Sequence, residues 1–316
     1  MSDKSNDQGR AYEFACLLAL KNEISKIRSA EIIENSSYFA AKHAFDSVDE
    51  NIRNTLQLSA LSATQTIFDL EPLIIEDGTD KLELMIQTDA QGELGDVRDI
   101  LIIRRGISWE IGLSVKHNHF AVKHSRLAKS IDFGEKWFGI PCSDQYWNDI
   151  NPIFSYLETE KQNKKMWREL PSKEDDVYIP LLEAFVSEIK RSYSAHPEIP
   201  KRMVEYLLGK FDFYKVISVD TKHFTQIQTF NLRGTLNQGG RYSPKIAIPT
   251  TSLPTRIVSI DFKPNSTHTI ELYLDGGWQF SFRIHNASTY VETSLKFDIQ
   301  IIGMPTTIIT INTHWN

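Results

Sequence analysis

Residues 99–119 contain the pattern that constrains the fold most: two apolar stretches joined by a short turn, with charged side chains at fixed positions. Asp99 stands directly before the first stretch. Side chains alternate between the two faces of a strand, so Glu110, Ser114 and Lys116 of the second stretch share one face. The pattern predicts a hairpin of two short strands that brings two carboxylates and an amine around a common point.

Such a point has the chemistry of a metal site next to phosphates. Carboxylate oxygens suit Mg²⁺, which keeps several of its waters, and a metal-bound water beside a lysine is an arrangement that cleaves phosphodiester bonds. Residues 104–129 contain six basic residues and three histidines, and Glu110 is their only acidic residue, although the whole chain has a net charge of −6. A local basic patch on an acidic chain predicts contact with phosphates.

The composition is that of an ordinary globular protein. The 316 residues are 41% hydrophobic and 24% charged, enough for one large or two moderate domains. No apolar run is long enough for a membrane span, and the N-terminal residues are polar, without the apolar core of a secretion signal. The two cysteines, Cys16 and Cys142, have no metal-ligand spacing. We expect a cytoplasmic protein without a zinc site or a disulfide framework.

The chain divides by pattern into a helical and α/β part, residues 1–212, and a β-rich part, residues 213–316. Helical spacing of apolar residues predicts helices over 8–24 and 51–68 and a mainly helical region over 151–209. Strands are predicted over 72–75, 82–87 and the 99–116 hairpin, a loop over 133–143, and seven further strands after residue 213. The fold class is therefore α/β, or α+β: a mixed sheet flanked by helices, followed by a β-rich region for recognition or dimerisation.

Several blocks of sequence resemble the HaeIII-type restriction endonucleases. They include Gly95-Asp-Val-Arg-Asp-Ile100, Trp109-Glu-Ile-Gly-Leu-Ser-Val-Lys-His-Asn-His119, Ile131-Asp-Phe-Gly-Glu-Lys-Trp-Phe-Gly139 and Phe282-Arg-Ile-His-Asn-Ala287. Together with Ser5–Phe14 and the 58–71 segment, these blocks span almost the whole chain. The resemblance implies a type II restriction enzyme that cuts double-stranded DNA at GGCC, needs Mg²⁺ and is built on the PD-(D/E)XK nuclease core. Within that core, Asp99 matches the first acidic residue and Lys116 the lysine.

One position departs from the family pattern: Ser114 stands two residues before the lysine, where a second carboxylate belongs. The catalytic set is then Asp99, Ser114 and Lys116 with a carboxylate from elsewhere. Glu110 is the first candidate because it shares a face with Lys116, although six residues of strand span roughly 20 Å. Asp96 is a further candidate, as a metal ligand. The other candidates are Asp132 or Glu135 of a following helix, and Glu13, a helical residue near the N-terminus.

A GGCC site presents guanine acceptors and cytosine amino groups in the major groove, which arginine, lysine, carboxylates and amides read. Most protein–DNA contacts go to phosphates, so each candidate can serve either purpose. In the basic segment the candidates are Lys123, His124 and Arg126, preceded by His117, Asn118 and His119. Three consecutive strand residues cannot converge on one metal, so this trio is either DNA-facing or structural. In the C-terminal part the candidates are Arg233, Arg241, Arg283, His285 and Asn286.

A palindromic site is matched most simply by a two-fold homodimer, and a monomer that nicks each strand in turn stays open. The resemblance also implies a DNA methyltransferase in the same system, not held in a stable complex. Two alternatives remain: a structure-specific repair or recombination nuclease on the same core, and a non-catalytic DNA-binding protein whose core is degenerate at Ser114.

Overall fold

A computed structural model describes residues 2–76, 78–88 and 95–315, excluding the side chains of residues 2–6 and 124. The helices in these ranges are α1 (Ser2–Ser25), α2 (Ser36–Ser47), α3 (Glu50–Leu70), α4 (Pro72–Ile75), α5 (Phe133–Phe138), α6 (Asp144–Gln162), α7 (Ile179–Ala195) and α8 (Ile199–Leu208). The strands are β1 (Ala30–Ile33), β2 (Leu82–Ile86), β3 (Ile100–Arg104), β4 (Trp109–His117), β5 (Ala121–Ala128), β6 (Phe213–Val219), β7 (Phe224–Phe230), β8 (Ile257–Phe262), β9 (Thr269–Leu274), β10 (Gln279–His285), β11 (Ser294–Gly303) and β12 (Thr310–His314). Over these ranges, no helix combines the length and the apolar character that crossing a membrane requires.

The first compact unit consists of the described residues within 1–120, 209–252 and 306–316. Its seven-stranded sheet has the order β1-β2-β3-β4-β6-β7-β12. β1 and β2 are parallel, as are β4 and β6, while the other neighbours are antiparallel. The predicted hairpin is confirmed: β3 and β4 pair with Ile100 opposite Leu113.

Helices α1 and α3 cover one face of this sheet. Leu17 of α1 and Ile67 of α3 are fully buried in one core with Val115 of β4. A polar chain crosses the same core, because the Tyr12 hydroxyl lies 2.6 Å from the Ser59 hydroxyl. The Ser59 hydroxyl in turn lies 2.7 Å from the Thr225 hydroxyl of β7. Buried hydroxyl groups are normally hydrogen-bonded, and this series of hydrogen bonds ties α1, which carries Glu13 next to Tyr12, through α3 to the sheet.

The second compact unit consists of residues 121–208 and 253–305. Its sheet is antiparallel throughout, in the order β5-β11-β10-β9-β8. Phe282 and Phe297 point from β10 and β11 into an aromatic core, where the Phe282 ring stacks on Trp137 at 5.9 Å between centroids. On β10 buried residues alternate with partly open ones, and the first part of β11 follows the same alternation except at Asp298, which is also buried. One sheet face therefore forms the core and the other carries polar side chains.

The observed architecture confirms the predicted α/β, or α+β, class with a mixed sheet flanked by helices. The units do not follow the expected division at residue 212, because β6, β7 and β12 complete the first sheet while β5 and residues 121–208 belong to the second unit. Two local predictions were wrong. Residues 72–75 form a short helix with proline in its first turn, which suits that residue, and residues 133–138 form helix α5, capped by Asp132.

Candidate active site

Asp99 stands at the entrance to β3 and closes the ladder between β3 and β4. Its backbone N–H donates to the Leu113 carbonyl at 2.7 Å. Its carboxylate atom Oδ2 accepts from the Val115 N–H at 2.6 Å and from the Lys116 Nζ at 2.9 Å. The Ser114 hydroxyl donates to the same oxygen at 3.3 Å. The hairpin therefore brings Asp99, Ser114 and Lys116 into direct contact.

This contact lies partly open to solvent, since the side chains of Asp99 and Lys116 are 24% and 28% exposed. Burial disfavours the ammonium of Lys116, but the charge and hydrogen bond of Asp99, with a further contribution from Glu13, outweigh it and raise the pKa of Lys116. The amine thus stays protonated at neutral pH, next to a carboxylate that a substrate can approach.

Glu13 of α1 contributes a second negative charge at this point. Its carboxylate and that of Asp99 both act on Lys116, and both raise the pKa of the buried Cys16 thiol, for which burial is the largest cause. Glu13 is half-buried, so it belongs neither to the core nor to the open surface of α1. Of the carboxylates considered as the second acid, Glu13 is the one that shares the electrostatic surroundings of Lys116.

Glu110 and Asp96 form a different cluster, around Arg98. The guanidinium of Arg98 donates to Asp96 at 2.7 and 2.8 Å and to Glu110 at 2.9 Å. The Arg98 side chain packs directly on Gly112 and fills the space that a Cβ atom at position 112 would need. Gly112 lies between Glu110 and Ser114 on this face. The expectation that Glu110 and Lys116 meet at a common point was wrong, because the Glu110 carboxylate is paired with Arg98 instead.

The two other candidates for the second acid lie on α5 or at its start, in the second unit. Asp132 is the N-cap of α5 and accepts from the Glu135 N–H at 2.9 Å and from the Cys142 N–H at 3.1 Å. Glu135 is exposed in the first turn. These contacts give Asp132 a capping function in its own unit.

Lys215 is a site residue that the sequence reasoning missed. It lies on β6 opposite Ser114 in the parallel register and is 2% exposed. Its Nζ donates to the Phe120 carbonyl at 2.6 Å. Burial, together with the charge of Lys116 and against that of Asp99, lowers the pKa of Lys215 to about 7. A lysine inside the wholly buried strand Phe213–Val219 was the signal that could have found it.

His117 and Asn118 are held by the turn that follows β6. The His117 Nε2 lies 2.7 Å from the Asp220 Oδ2, and its side chain is 8% exposed. Asn118 adopts a positive φ of 51°, and its side-chain oxygen accepts from the Asp220 N–H at 2.9 Å. These contacts favour the structural interpretation of both residues, whereas His119 is exposed.

The oxygen ligands present fit Mg²⁺ better than zinc. Among the described residues, no group of three His, Cys, Asp or Glu side chains forms a metal cluster. Within the described residues, the hydrogen bonds to the Asp99 carboxylate are accepted by Oδ2. The other oxygen, Oδ1, can therefore bind a ligand. Mg²⁺ is typically bound through one or two carboxylates together with waters and substrate phosphates, a set that Asp99 and Glu13 can supply.

The proposed DNA contacts fall into separate groups. Lys123 is directed into its own unit, where its Nζ donates to the Tyr206 carbonyl at 2.9 Å and lies 3.8 Å from the Tyr206 ring centre, and burial lowers its pKa to about 8. These contacts argue against Lys123 as a base-reading residue, and its role in DNA binding stays a prediction. Arg126, Arg283 and His285 share the polar face of the second sheet, next to His124, whose side chain is outside the described set.

The remaining three candidates lie in loops. Asn286 closes its own loop by donating to the Ser288 and Tyr290 carbonyls at 2.6 and 2.7 Å, so its amide serves the backbone. Arg233 and Arg241 are both exposed, in the segment between β7 and β8. Arg233 donates to the Gly209 carbonyl at 3.3 Å, which leaves its side chain at the surface of the first unit.

Comparison with known proteins agrees with this geometry. The family described as HaeIII restriction endonuclease matches residues 9–305. A curated relative, the type II restriction enzyme HaeIII of Haemophilus aegyptius, is 56% identical over 317 aligned positions, covering 100% of this chain and 99% of the relative. No solved structure matches significantly. The resemblance seen in the sequence is confirmed, and the chain belongs to the HaeIII restriction endonuclease family.

Proposed function

We propose that this chain is a type II restriction endonuclease that hydrolyses both strands of double-stranded DNA at GGCC in a Mg²⁺-dependent reaction. The observation that carries the proposal is the open contact of Asp99 with Lys116, in a chain 56% identical to a type II restriction enzyme over its full length. We further propose that it acts in the cytoplasm as a homodimer, beside a methyltransferase of the same system that it does not bind stably.

Asp99 and Glu13 would hold the metal through carboxylate oxygens. Bound there, Mg²⁺ supplies charge that stabilises the phosphate oxygens and lowers the pKa of a coordinated water. The Ser114 hydroxyl and the Val115 N–H fix one oxygen of Asp99, so its other oxygen keeps a defined direction. Ser114 thereby orients a carboxylate instead of supplying one.

Lys116 is protonated and can donate hydrogen bonds to the scissile phosphate, where negative charge builds up in the transition state. A water oxygen forms a new bond to phosphorus and this water gives up one proton to solvent, while the bond to the 3′ oxygen breaks and that oxygen takes up one proton from solvent. Lys215 lies beside Ser114 on the next strand and is a second amine within electrostatic reach of Lys116 and Asp99.

The test is a digest of plasmid DNA with the purified protein, in Mg²⁺ and in EDTA, followed by sequencing of the fragment ends. We expect discrete fragments that end within GGCC, in Mg²⁺ alone. The matched variants are Lys116→Met and Lys222→Met, the latter an exposed lysine on the turn after β6. Lys116→Met should abolish cleavage and still bind a GGCC duplex, while Lys222→Met should cut normally.

Three outcomes contradict the proposal. Cleavage at branched or damaged DNA without sequence preference would identify a repair nuclease. Binding without cleavage in either condition would identify a DNA-binding protein with an inactive core. Normal cleavage by Lys116→Met would remove that lysine from the mechanism.

A further inference from the structure

The polar face of the second sheet gathers charged residues from distant parts of the sequence. β5, β11 and β10 are adjacent and antiparallel, with Arg126 opposite Lys296 and Lys296 opposite His285. The next row places Arg283 opposite Asp298. Side chains opposite each other on antiparallel strands share a face, so these five groups form one surface, which we call the β10–β11 face.

The residues between them point the other way. Phe282 and Ile284 on β10 and Phe297 on β11 are fully buried in the aromatic core. The β10–β11 face is therefore not needed for the core of its unit, and its central arginine, Arg283, is 53% exposed. Arg126, Lys296 and Arg283 place cations on three neighbouring strands of this face.

The electrostatics show that these cations act on one another. Burial is the largest cause that lowers the pKa of Lys296, and the charge of Arg126 adds to it. Burial also lowers the pKa of His285, with contributions from Arg283 and Lys296. Asp298 opposes both shifts. Positive groups that repel one another at a partly open surface favour binding of an anionic or electron-rich partner.

The face is not uniformly positive, and this points to bases more than to phosphates. The Asp298 carboxylate is only 11% exposed and lies 3.5 Å from the Arg283 guanidinium. Because Asp298 is held in the sheet, it fixes the direction of the Arg283 side chain. An arginine pairs with the O6 and N7 atoms of guanine through two parallel hydrogen bonds. A buried carboxylate beside the guanidinium fixes its direction, which base reading requires and general phosphate attraction does not.

The dimensions agree with this assignment. Arg283 and Asp298 lie on two adjacent strands, about 5 Å apart, and the major groove admits a two-stranded ribbon. Strands are known to enter the major groove as base-reading elements. Arg126 on the outer strand also contacts Glu292 at 3.5 Å, so it is positioned at the edge of the face rather than at its centre.

We propose that the β10–β11 face is the base-reading surface of this enzyme, with Arg283 reading a guanine of GGCC and the buried Asp298 orienting the Arg283 guanidinium. This inference rests on the proposed GGCC specificity. Arg126 and Lys296 flank the reading pair and contact the phosphates.

The test compares binding of two duplexes, one with GGCC and one with GCGC in the same flanks, by fluorescence anisotropy with Ca²⁺ in place of Mg²⁺. Arg283→Lys keeps the charge and removes the two-pronged donor geometry. We expect it to lose about 10- to 100-fold in affinity for GGCC and to bind GCGC as the wild type does. The control is Arg202→Lys on α8, an arginine 43% exposed and paired with Glu198 at 3.4 Å, which should change neither affinity.

Asp298→Asn is the second variant. We expect it to reduce the difference in binding affinity between the GGCC and GCGC duplexes. Thermal unfolding of each variant shows whether it is folded. If Arg283→Lys keeps full preference for GGCC, or weakens both duplexes equally, Arg283 is not a base reader and the inference fails while the enzyme's specificity stands. If the wild type itself does not distinguish the two duplexes, the proposed GGCC specificity fails and the inference with it.

Discussion

Replacing Lys215 with methionine should make the protein more stable and the enzyme slower. The side chain is 2% exposed, and burial is the main reason why its pKa falls from 10.5 to about 7. In the unfolded chain the amine takes up a proton below pH 10.5, so at pH 8 folding must remove that proton. Each pKa unit corresponds to 1.36 kcal/mol, which makes the cost about 3 kcal/mol.

Methionine has nearly the same volume and no proton to lose. It gives up the hydrogen bond from Nζ to the Phe120 carbonyl, a contribution of about 1 kcal/mol. The expected net gain at pH 8 is therefore about 2 kcal/mol, measured as the free energy of unfolding in urea. The destabilising contribution of Lys215 is complete below pH 7 and disappears as the pH rises through 10.5. The stability advantage of Lys215→Met should accordingly vanish by pH 10.

Cleavage by Lys215→Met should fall by about 10-fold or more in single-turnover assays, since the amine lies beside Ser114 and acts on Lys116. A buried group that weakens the fold is expected at functional sites. Equal stability of the variant and the wild type at pH 8, or an advantage that persists at pH 10, would refute the ionisation argument. A stabilised variant with full activity would show instead that Lys215 has no part in the reaction.

Three further substitutions test other carboxylates. Glu13→Gln should slow Mg²⁺-dependent cleavage by about 100-fold, whereas Glu110→Gln should stay within about threefold; the reverse order in single-turnover rates would make Glu110 the second acid. Burial raises the pKa of Glu71 to about 7 although Tyr214 and Asn237 donate to it. Its stabilising effect is therefore complete below pH 4.5 and lost as the pH rises to about 7. Urea titrations of Glu71→Gln should show a flatter dependence on pH in that window, and an unchanged slope would contradict this account.

Local patterns predicted most of the elements but not their partners. The hairpin of β3 and β4 was predictable because two apolar stretches are joined by a short turn and the second of them alternates in polarity. The parallel pairing of β4 with β6 joins Ser114 to Lys215 across about a hundred residues, and no short-range pattern encodes it. The domain boundary predicted at residue 212 therefore separated β4 from β6, two strands that are neighbours in one sheet.

Short apolar runs failed for a different reason. The four residues of α4 fit a strand and a helix equally well by periodicity, and the proline at their start decides for the helix because it suits the first turn. Likewise, the glycine and aromatic residues of 133–139 suggested a loop, whereas the Asp132 cap and the left-handed Gly139 define a helix with both ends closed.

The site residues also differ in whether local or distant contacts position them. Asp99, Ser114 and Lys116 belong to one hairpin, so strand alternation alone brought them together correctly. The same alternation placed Glu110 on the right face, but it says nothing about which side chains intervene, and Arg98 lies over Gly112 between Glu110 and Ser114.

A serine at the acid position can be functional only if another element supplies negative charge to the same amine. Glu13 does this from α1, a helix that is hydrogen-bonded to α3 through the buried Tyr12 next to Glu13. A helix can place a carboxylate at a strand end without lengthening the strand motif, so Ser114 is free to orient Asp99. Ser114 in place of the carboxylate that the resemblance predicts therefore argues for a rearranged active site rather than an inactive one. Mg²⁺-dependent cleavage by the wild type would exclude an inactive site, and slower cleavage by Glu13→Gln would identify Glu13 as the second acid.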